Sequence, residues 1–362
     1  MIKLIKPYIE YSEVENEFKE IFASGWFTKG KFVEEFRTEI KNYTGARYAF
    51  LTTSATTALS VALKTINIQE GDEVIVSDFS FPATVNVVED LGAVPVFADV
   101  DTKTFNMLPG VLEEKISKKT KAVIFVDALG NPSGLHAIKE ICARHNIPLI
   151  EDAACALGSS ENDKRCGNIA DLTCFSFHPR KLLTTGEGGA ITTNHDEYAR
   201  FLEVKLNHGA VVKDKKLDFV DYGYNYRMSE LQAVMGIKQL QKLNEIVASR
   251  NEIRDQYIAK LAVLGFAIQE ILSDVVYNVQ SLVFKVPDNI SRDQLVSHLA
   301  AEGIESTLGT YSLSNTTYYL TKYNNGQKNS KKLEENTLTL PCYDGLDVDY
   351  IVEKIKDFCA HS

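Results

Sequence analysis

The sequence predicts an α/β protein in which a large domain, built on a mostly parallel sheet between helices, precedes a smaller C-terminal α/β domain. Three observations carry this. First, short apolar runs alternate with helical periods. Val74-Ile75-Val76, a helix from Ala83 to Leu91 and Val94 to Phe97 form one strand-helix-strand unit; Lys121 to Val126, Leu135 to Ala143 and Pro148 to Ile150 form another. Repetition of that unit implies parallel strands whose ligand site lies beyond their C-termini. Second, 362 residues, 44% of them hydrophobic, suffice for two domains with a substantial core. Third, the interleaving resumes after a long helical pattern (Leu240, Leu243, Val247, Tyr257, Leu261, Leu264) that stops at Gly265. It gives a strand over Val279 to Val286, a helix opened by Ser291 and Gln294 and stopped at Gly303, and a last helix from Asp347 to Phe358. The boundary is placed near residue 245, giving domains 1–245 and 246–362.

Composition narrows the function classes. Forty-nine acidic against 39 basic residues, a formal charge of −10, argue against nucleic acid or an anionic membrane as the main partner. The N-terminal segment is too charged for a signal peptide, and no run approaches ~18 apolar residues. A cytoplasmic protein is expected. The six cysteines lack C-x-x-C spacing, so reduced structural thiols are expected and no metal site.

In chain order, a mixed acidic and apolar pattern from Ser12 to Phe22 predicts a helix, followed by a loop over 24–30 that carries the lone tryptophan, Trp26. Phe32, Phe36, Ile40 and Tyr43 recur at helical spacing, and Gly45 ends that helix before a strand from Tyr48 to Leu51. Thr52 to Thr57 then runs into a helix. Small hydroxyl residues there cap the helix, and the same geometry makes an anion site out of Ser54, Ala55 and Thr56. Phe81 follows the next strand as a core residue or a stacking surface. Leu149 to Asp152 is an apolar strand that ends on carboxylates.

The stretch from Phe175 to Asn194, FSFHPRKLLTTGEGGAITTN, is chemically the most informative. A strand ends at Pro179, Lys181 is presented on the turn, and Gly186, Gly188 and Gly189 allow close backbone approach before a strand resumes at Ala190. A lysine and an aspartate at the ends of neighbouring parallel strands suit pyridoxal phosphate chemistry, with the lysine bonding the cofactor covalently and Asp152 holding its ring nitrogen protonated. The charge run from Lys213 to Lys216 reads as a solvated loop. Ser229 and Gln232 form a capping box that opens a helix, which leaves Asn225 and Arg227 on an ordered loop.

Three motifs in order, Glu151-Asp152-Ala153-Ala154, the run from Ser176 to Lys181 with Thr184 to Gly189, and Gly223 to Gln232, resemble the DegT/DnrJ/EryC1/StrS family of pyridoxal-phosphate-dependent nucleotide-sugar aminotransferases. The resemblance covers nearly the whole chain. It implies a fold-type I aminotransferase with a sheet of the seven-stranded type, acting in homodimers with shared active sites. An amino acid, expected to be L-glutamate, would donate an amino group to a nucleotide-linked keto-sugar for amino-sugar or polysaccharide synthesis. Lys181 and Asp152 would be catalytic; Ser54, Ala55, Thr56 and Ser176 would meet the cofactor phosphate, with Asn225 reaching the partner's. Phe81 would stack on the ring, and Cys155 stands where relatives carry Gln or His near the phenolic oxygen. His178, Arg180 and Arg227 are candidate substrate contacts.

Tyr311 to Asn315 departs from the Pro-Leu-His of relatives in a region expected near the sugar. Three rival classes fit the sequence less well. A dehydratase-like relative would have histidine in place of Lys181, and a non-catalytic ligand sensor would have no need of both Lys181 and Asp152. A nicotinamide dehydrogenase would need G-x-G-x-x-G after its first strand, which is absent.

Overall fold

The computed structural model describes residues 1–361. Strands β1 (Tyr48–Thr52), β2 (Glu73–Ser77), β3 (Val94–Ala98), β4 (Thr120–Val126), β5 (Leu149–Asp152), β6 (Leu172–Ser176) and β7 (Gly189–Thr193) form one seven-stranded sheet. Its spatial order is β1-β7-β6-β5-β4-β2-β3, and only β7 runs against its neighbours. Alternate side chains of a strand point to opposite faces, so an apolar run serves two cores at once. Val74 and Val76 pack beneath helices α3 (Ala55–Thr65) and α4 (Ala83–Asp90), while Ile75 between them packs against α5 (Leu135–Arg144). In β6, Cys174 faces the first layer and Phe175 the layer that covers the chain's opening helices, α1 (Glu15–Ser24) and α2 (Lys31–Thr44). Helix α2 ends where expected, at Gly45 with φ 75°.

Helix α6 (Glu230–Leu240) opens on the Ser229 capping box. Its Glu230 reaches back to accept from the amides of Gly30, Phe32 and Val33, tying the Trp26 loop to α6. The long helix expected after Leu240 forms as one element, set off from α6 by a short break. At Lys242 the backbone leaves helical geometry (φ −108°, ψ 8°) and its ammonium pairs with Glu13, after which α7 (Leu243–Leu261) begins. Helix α7 joins two cores: Leu243, Ile246 and Val247 belong to the first, and Ile253, Tyr257 and Leu261 to a second.

That second core is built on a four-stranded sheet, β10-β11-β13-β12, antiparallel throughout, from β10 (Ala267–Ile268), β11 (Leu282–Lys285), β12 (Thr307–Leu308) and β13 (Thr337–Leu340). Helices α8 (Arg292–Ala301) and α9 (Val348–Ala360) cover it. Strand β11 starts later than expected because Val279 takes a left-handed conformation (φ 54°) and the carbonyls of Val279 and Gln280 are claimed by the buried Arg250 guanidinium. The charge run at 213–216 is solvated, as expected, but more ordered than a plain loop. It is the tip of a hairpin, β8 (Ala210–Lys213) and β9 (Lys216–Phe219), in which Asp214 and Lys215 both adopt the positive φ that a two-residue hairpin turn requires. No helix among the described residues is long and apolar enough to cross a membrane.

Candidate active site

A cavity of ≈520 Å³ opens beyond the C-terminal ends of β4, β5 and β6, within the size range of small-molecule sites. Asp152, the last residue of β5, lies 4% exposed on its floor. Its Oδ2 accepts from Thr84 Oγ1 at 2.7 Å and its Oδ1 from the Ala154 amide at 3.2 Å, which fixes the carboxylate. Burial pushes the Asp152 carboxyl above its ordinary range; Thr84, the Ala154 amide and the charge of Lys181 pull the other way. A cation set against it would complete its compensation.

Lys181 sits on the same cavity, and its Nζ donates to Cys155 Sγ at 3.1 Å. Among the described residues no carboxylate pairs with it. The backbone around it is held tightly: its own amide bonds the His178 carbonyl at 2.8 Å, and Gln280 accepts from the Leu182 amide and donates to the Arg180 carbonyl. Gln280 is held in turn by Arg250 through its carbonyl, so the second core grips the peptide that carries Lys181. Asn278 does the same for Cys155, donating to the carbonyls of Cys155 and Leu157.

Ser54, Ala55, Thr56 and Ser176 meet at one end of the cavity. Ser54 caps α3, with its hydroxyl accepting from the Thr57 amide, so the amides of Ala55 and Thr56 are first-turn donors without a carbonyl one turn back. The turn is brought beside Ser176 through β7, since Gly189 pairs with both Thr52 and Ser176. A Cβ on Gly189 would stand 2.6 Å from the Ser54 carbonyl carbon and 2.8 Å from the Ala55 nitrogen, so only glycine lets the strand lie there. At the rim, Phe81 is 64% exposed and meets Tyr311 edge to face, with 6.2 Å between ring centres. His178 and Arg180 are also on the rim. His178 Nδ1 accepts from the Arg180 amide, and partial burial, with the charges of Lys181 and Arg180, lowers the imidazole below its usual range. Its proton is therefore on Nε2, facing away from that bond.

Asn225 and Arg227 do not line this cavity. The loop alternates: Tyr224 and Tyr226 turn inward and stack at 4.9 Å with Lys64 over Tyr224, while Asn225 is exposed. Neither Asn225 nor Arg227 makes a side-chain hydrogen bond or ion pair among the described residues. Sequence reasoning missed Thr84, Gln280, Asn278 and Arg250. All four act across long chain separations, and no local pattern marks them.

The donor set fits pyridoxal phosphate. It offers an amine without an acidic partner, a buried carboxylate lacking a cation, and an anion-binding helix terminus cleared by a glycine, all on one cavity. The profile of the DegT/DnrJ/EryC1/StrS aminotransferase family matches residues 9–356. The chain is 33% identical over 341 residues to the GDP-perosamine synthase of Caulobacter vibrioides, covering 92% of each. It is 32% identical to the spore coat polysaccharide biosynthesis protein SpsC of Bacillus subtilis, covering 97% of this chain and 95% of that one. Spr1654 of Streptococcus pneumoniae, assigned as a sugar aminotransferase and solved in its PMP form, superposes with a TM-score of 0.90 at 28% identity over the whole of both chains.

Proposed function

We propose the function of this chain from the premise that it belongs to the DegT/DnrJ/EryC1/StrS aminotransferase family: it is a pyridoxal-phosphate-dependent aminotransferase that moves an amino group from an amino acid to the ketone of a nucleotide-linked sugar. One observation carries the reading. Lys181 and Asp152 converge on one cavity beyond the parallel strand ends, beside the α3 terminus. The relatives that make GDP-perosamine and spore coat polysaccharide support a sugar nucleotide as the acceptor and polysaccharide synthesis as its use. L-Glutamate is the proposed donor.

When bound, pyridoxal phosphate supplies an electron sink for the carbon that gains or loses the amino group. Lys181 Nζ would hold the cofactor and, when free, is placed to take a proton from one substrate carbon and return it to another. Its reach is limited because Gln280 fixes the peptide on both sides, so the amine swings from a set pivot. Asp152 would set a negative charge against the ring nitrogen, and Thr84 keeps that carboxylate aimed. The amides of Ala55 and Thr56 and the Ser176 hydroxyl would hold the phosphate, and Phe81 would cover the ring. Cys155, beside the Lys181 amine, would stand near the phenolic oxygen. His178 and Arg180, on the rim, suit the pyrophosphate or the donor carboxylate.

Asn225, exposed and unpartnered, is proposed to complete the cofactor site of a second copy, with Arg227 beside it. Exposed apolar side chains on two nearby segments support such a homodimer: Phe22, Trp26 and Phe27 on one, and Leu217, Phe219 and Val220 on the other. A cytoplasmic location and a division near residue 245 into cofactor-binding and smaller domains complete the reading.

The test is spectroscopic. Purified protein with pyridoxal phosphate is expected to show a visible band that L-glutamate converts to the PMP form, and Lys181→Ala to show neither. A panel of nucleotide keto-sugars then identifies the acceptor by reversing the change. A band in Lys181→Ala identical to wild type, or full turnover by that variant, would sink the assignment.

A further inference from the structure

Beneath the cavity floor, on the face of β5 opposite Asp152, lies a group of acids that the reaction does not use. Glu151 and Asp127 are fully buried, and Cys166 is 1% exposed. One donor atom from each lies within 4.8 Å of the others. Glu151 Oε2 is satisfied, accepting from Thr173 Oγ1 at 2.6 Å and from the Gly167 amide at 3.3 Å. Three oxygens are not: Glu151 Oε1 and both carboxylate oxygens of Asp127 have no donor. No lysine, arginine or histidine pairs with either acid among the described residues. Buried oxygens left in that state cost more than the fold can readily carry.

One proton settles most of the account: an O–H on Asp127 donated to Glu151 Oε1 satisfies two of the three oxygens, and the Cys166 thiol lies within 4.8 Å of both acids. We propose that Asp127 works as a carboxylic acid that shares one proton with Glu151, and that in this form it is a positioning residue for Asp152. The charged and titratable groups facing it are Glu151, Asp152 and Cys166, with Lys181 acting on Asp152 from across the cavity. Burial, and then the neighbouring Glu151, push the Asp127 carboxyl well above its ordinary range, and burial keeps the Cys166 thiol protonated.

The consequence reaches Asp152 through charge, because strand pairing, with the Asp127 amide bonding the Asp152 carbonyl at 3.2 Å, sets the two residues side by side. The shared proton leaves the Asp127 and Glu151 pair with one negative charge beside Asp152 instead of two. A second negative charge there would raise the affinity of Asp152 for a proton and weaken its hold on a pyridinium. The protonation stands on the cluster alone, whereas the role toward Asp152 rests on the function proposed above.

Asparagine tests this directly, since its amide can donate as a protonated aspartate does and carries none of the charge of an ionised one. Folding takes up the proton above the ordinary carboxylate range, so this stabilisation is complete below that range and is lost as pH rises through the raised folded value. Denaturant unfolding of the holoenzyme above about pH 5 is expected to show a wild-type equilibrium constant that changes about tenfold more per pH unit than that of Asp127→Asn. Asp127→Asn should be at least as stable as wild type near neutrality, and Asp127→Ala much less so. An infrared carbonyl band of an un-ionised carboxyl should be present in wild type and missing in the asparagine variant. Asp127→Ala should shift the pH dependence of the bound cofactor's visible band, and Asp127→Asn restore it.

Equal pH slopes would overturn the shared proton. So would an asparagine variant no better folded than the alanine one. One equivalent of metal in the wild-type holoenzyme, absent from Asp127→Asn, would make the three residues a cation site instead. A cofactor band with the same pH dependence in all three proteins would overturn the role toward Asp152. A failure of the lysine and glutamate test would leave the unfolding slopes untouched, so the two readings fail separately.

Discussion

Lys181 has a thiol, not a carboxylate, as its polar neighbour at 3.1 Å, which leaves the amine free to make and break a covalent bond. Asp152 is the opposite case, an acid held by Thr84 and the Ala154 amide in a buried site that has no ion pair. Such a carboxylate gains most from a cation that arrives with the cofactor. Asp152→Asn is therefore expected to keep the fold, weaken cofactor binding and slow turnover by at least about 100-fold, measured by titration of the visible band and by steady-state rates. An unchanged rate would show that the carboxylate charge is not needed. Lys181 and Asp152 could be singled out in the sequence because Asp152 ends an apolar strand before small residues, and Lys181 follows another across Pro179 into a glycine-rich turn. Gln280, which steers the Lys181 peptide, was not, because its partners lie 98 and 100 positions away.

At the scale of elements, the helix termini were the most legible features. Ser54, Ser229 and Ser291 all cap the helices the sequence assigned to them, because a cap depends on residues three apart. The hairpin at 210–219 carries a weaker signal. Leu217 and Phe219 alternate with Lys216 and Asp218, but most of both strands is exposed, and a charged Asp214-Lys215 turn stands where an Asn-Gly type would mark a hairpin. The interior position of β7 is silent, since antiparallel insertion between β1 and β6 depends on pairing and not on composition. That insertion places Gly189 against the Ser54 turn. Gly189→Ala is expected to cost about 1–3 kcal/mol of stability through overpacking and to weaken pyridoxal phosphate binding by moving the Ala55 amide. Calorimetric unfolding with and without cofactor separates the two effects. An alanine variant with wild-type affinity would remove the phosphate site from this turn.

For the whole molecule, the second core acts on the first through Arg250, Gln280 and Asn278, so the two are mechanically joined at the cavity floor. The exposed apolar segments around Trp26 and Phe219 are the surface that a second copy would cover. A dimer is expected by sedimentation. Mixing Lys181→Ala with Asn225→Ala subunits should restore about a quarter of wild-type activity, since half of the randomly paired dimers carry one intact site. No recovery on mixing would place Asn225 outside its partner's site.

The cavity draws on segments scattered from the Ser54 turn to Lys181 and on to Gln280, and no contiguous piece of chain contains enough of it to hold a ligand. The cofactor can therefore recognise the finished topology and little else, and its binding draws the folding equilibrium toward completion in proportion to its concentration. Vitamin supply thus becomes a determinant of the protein's lifetime. A cell short of the cofactor leaves a larger fraction of these chains open to its proteases, and loses the enzyme itself as well as the reaction.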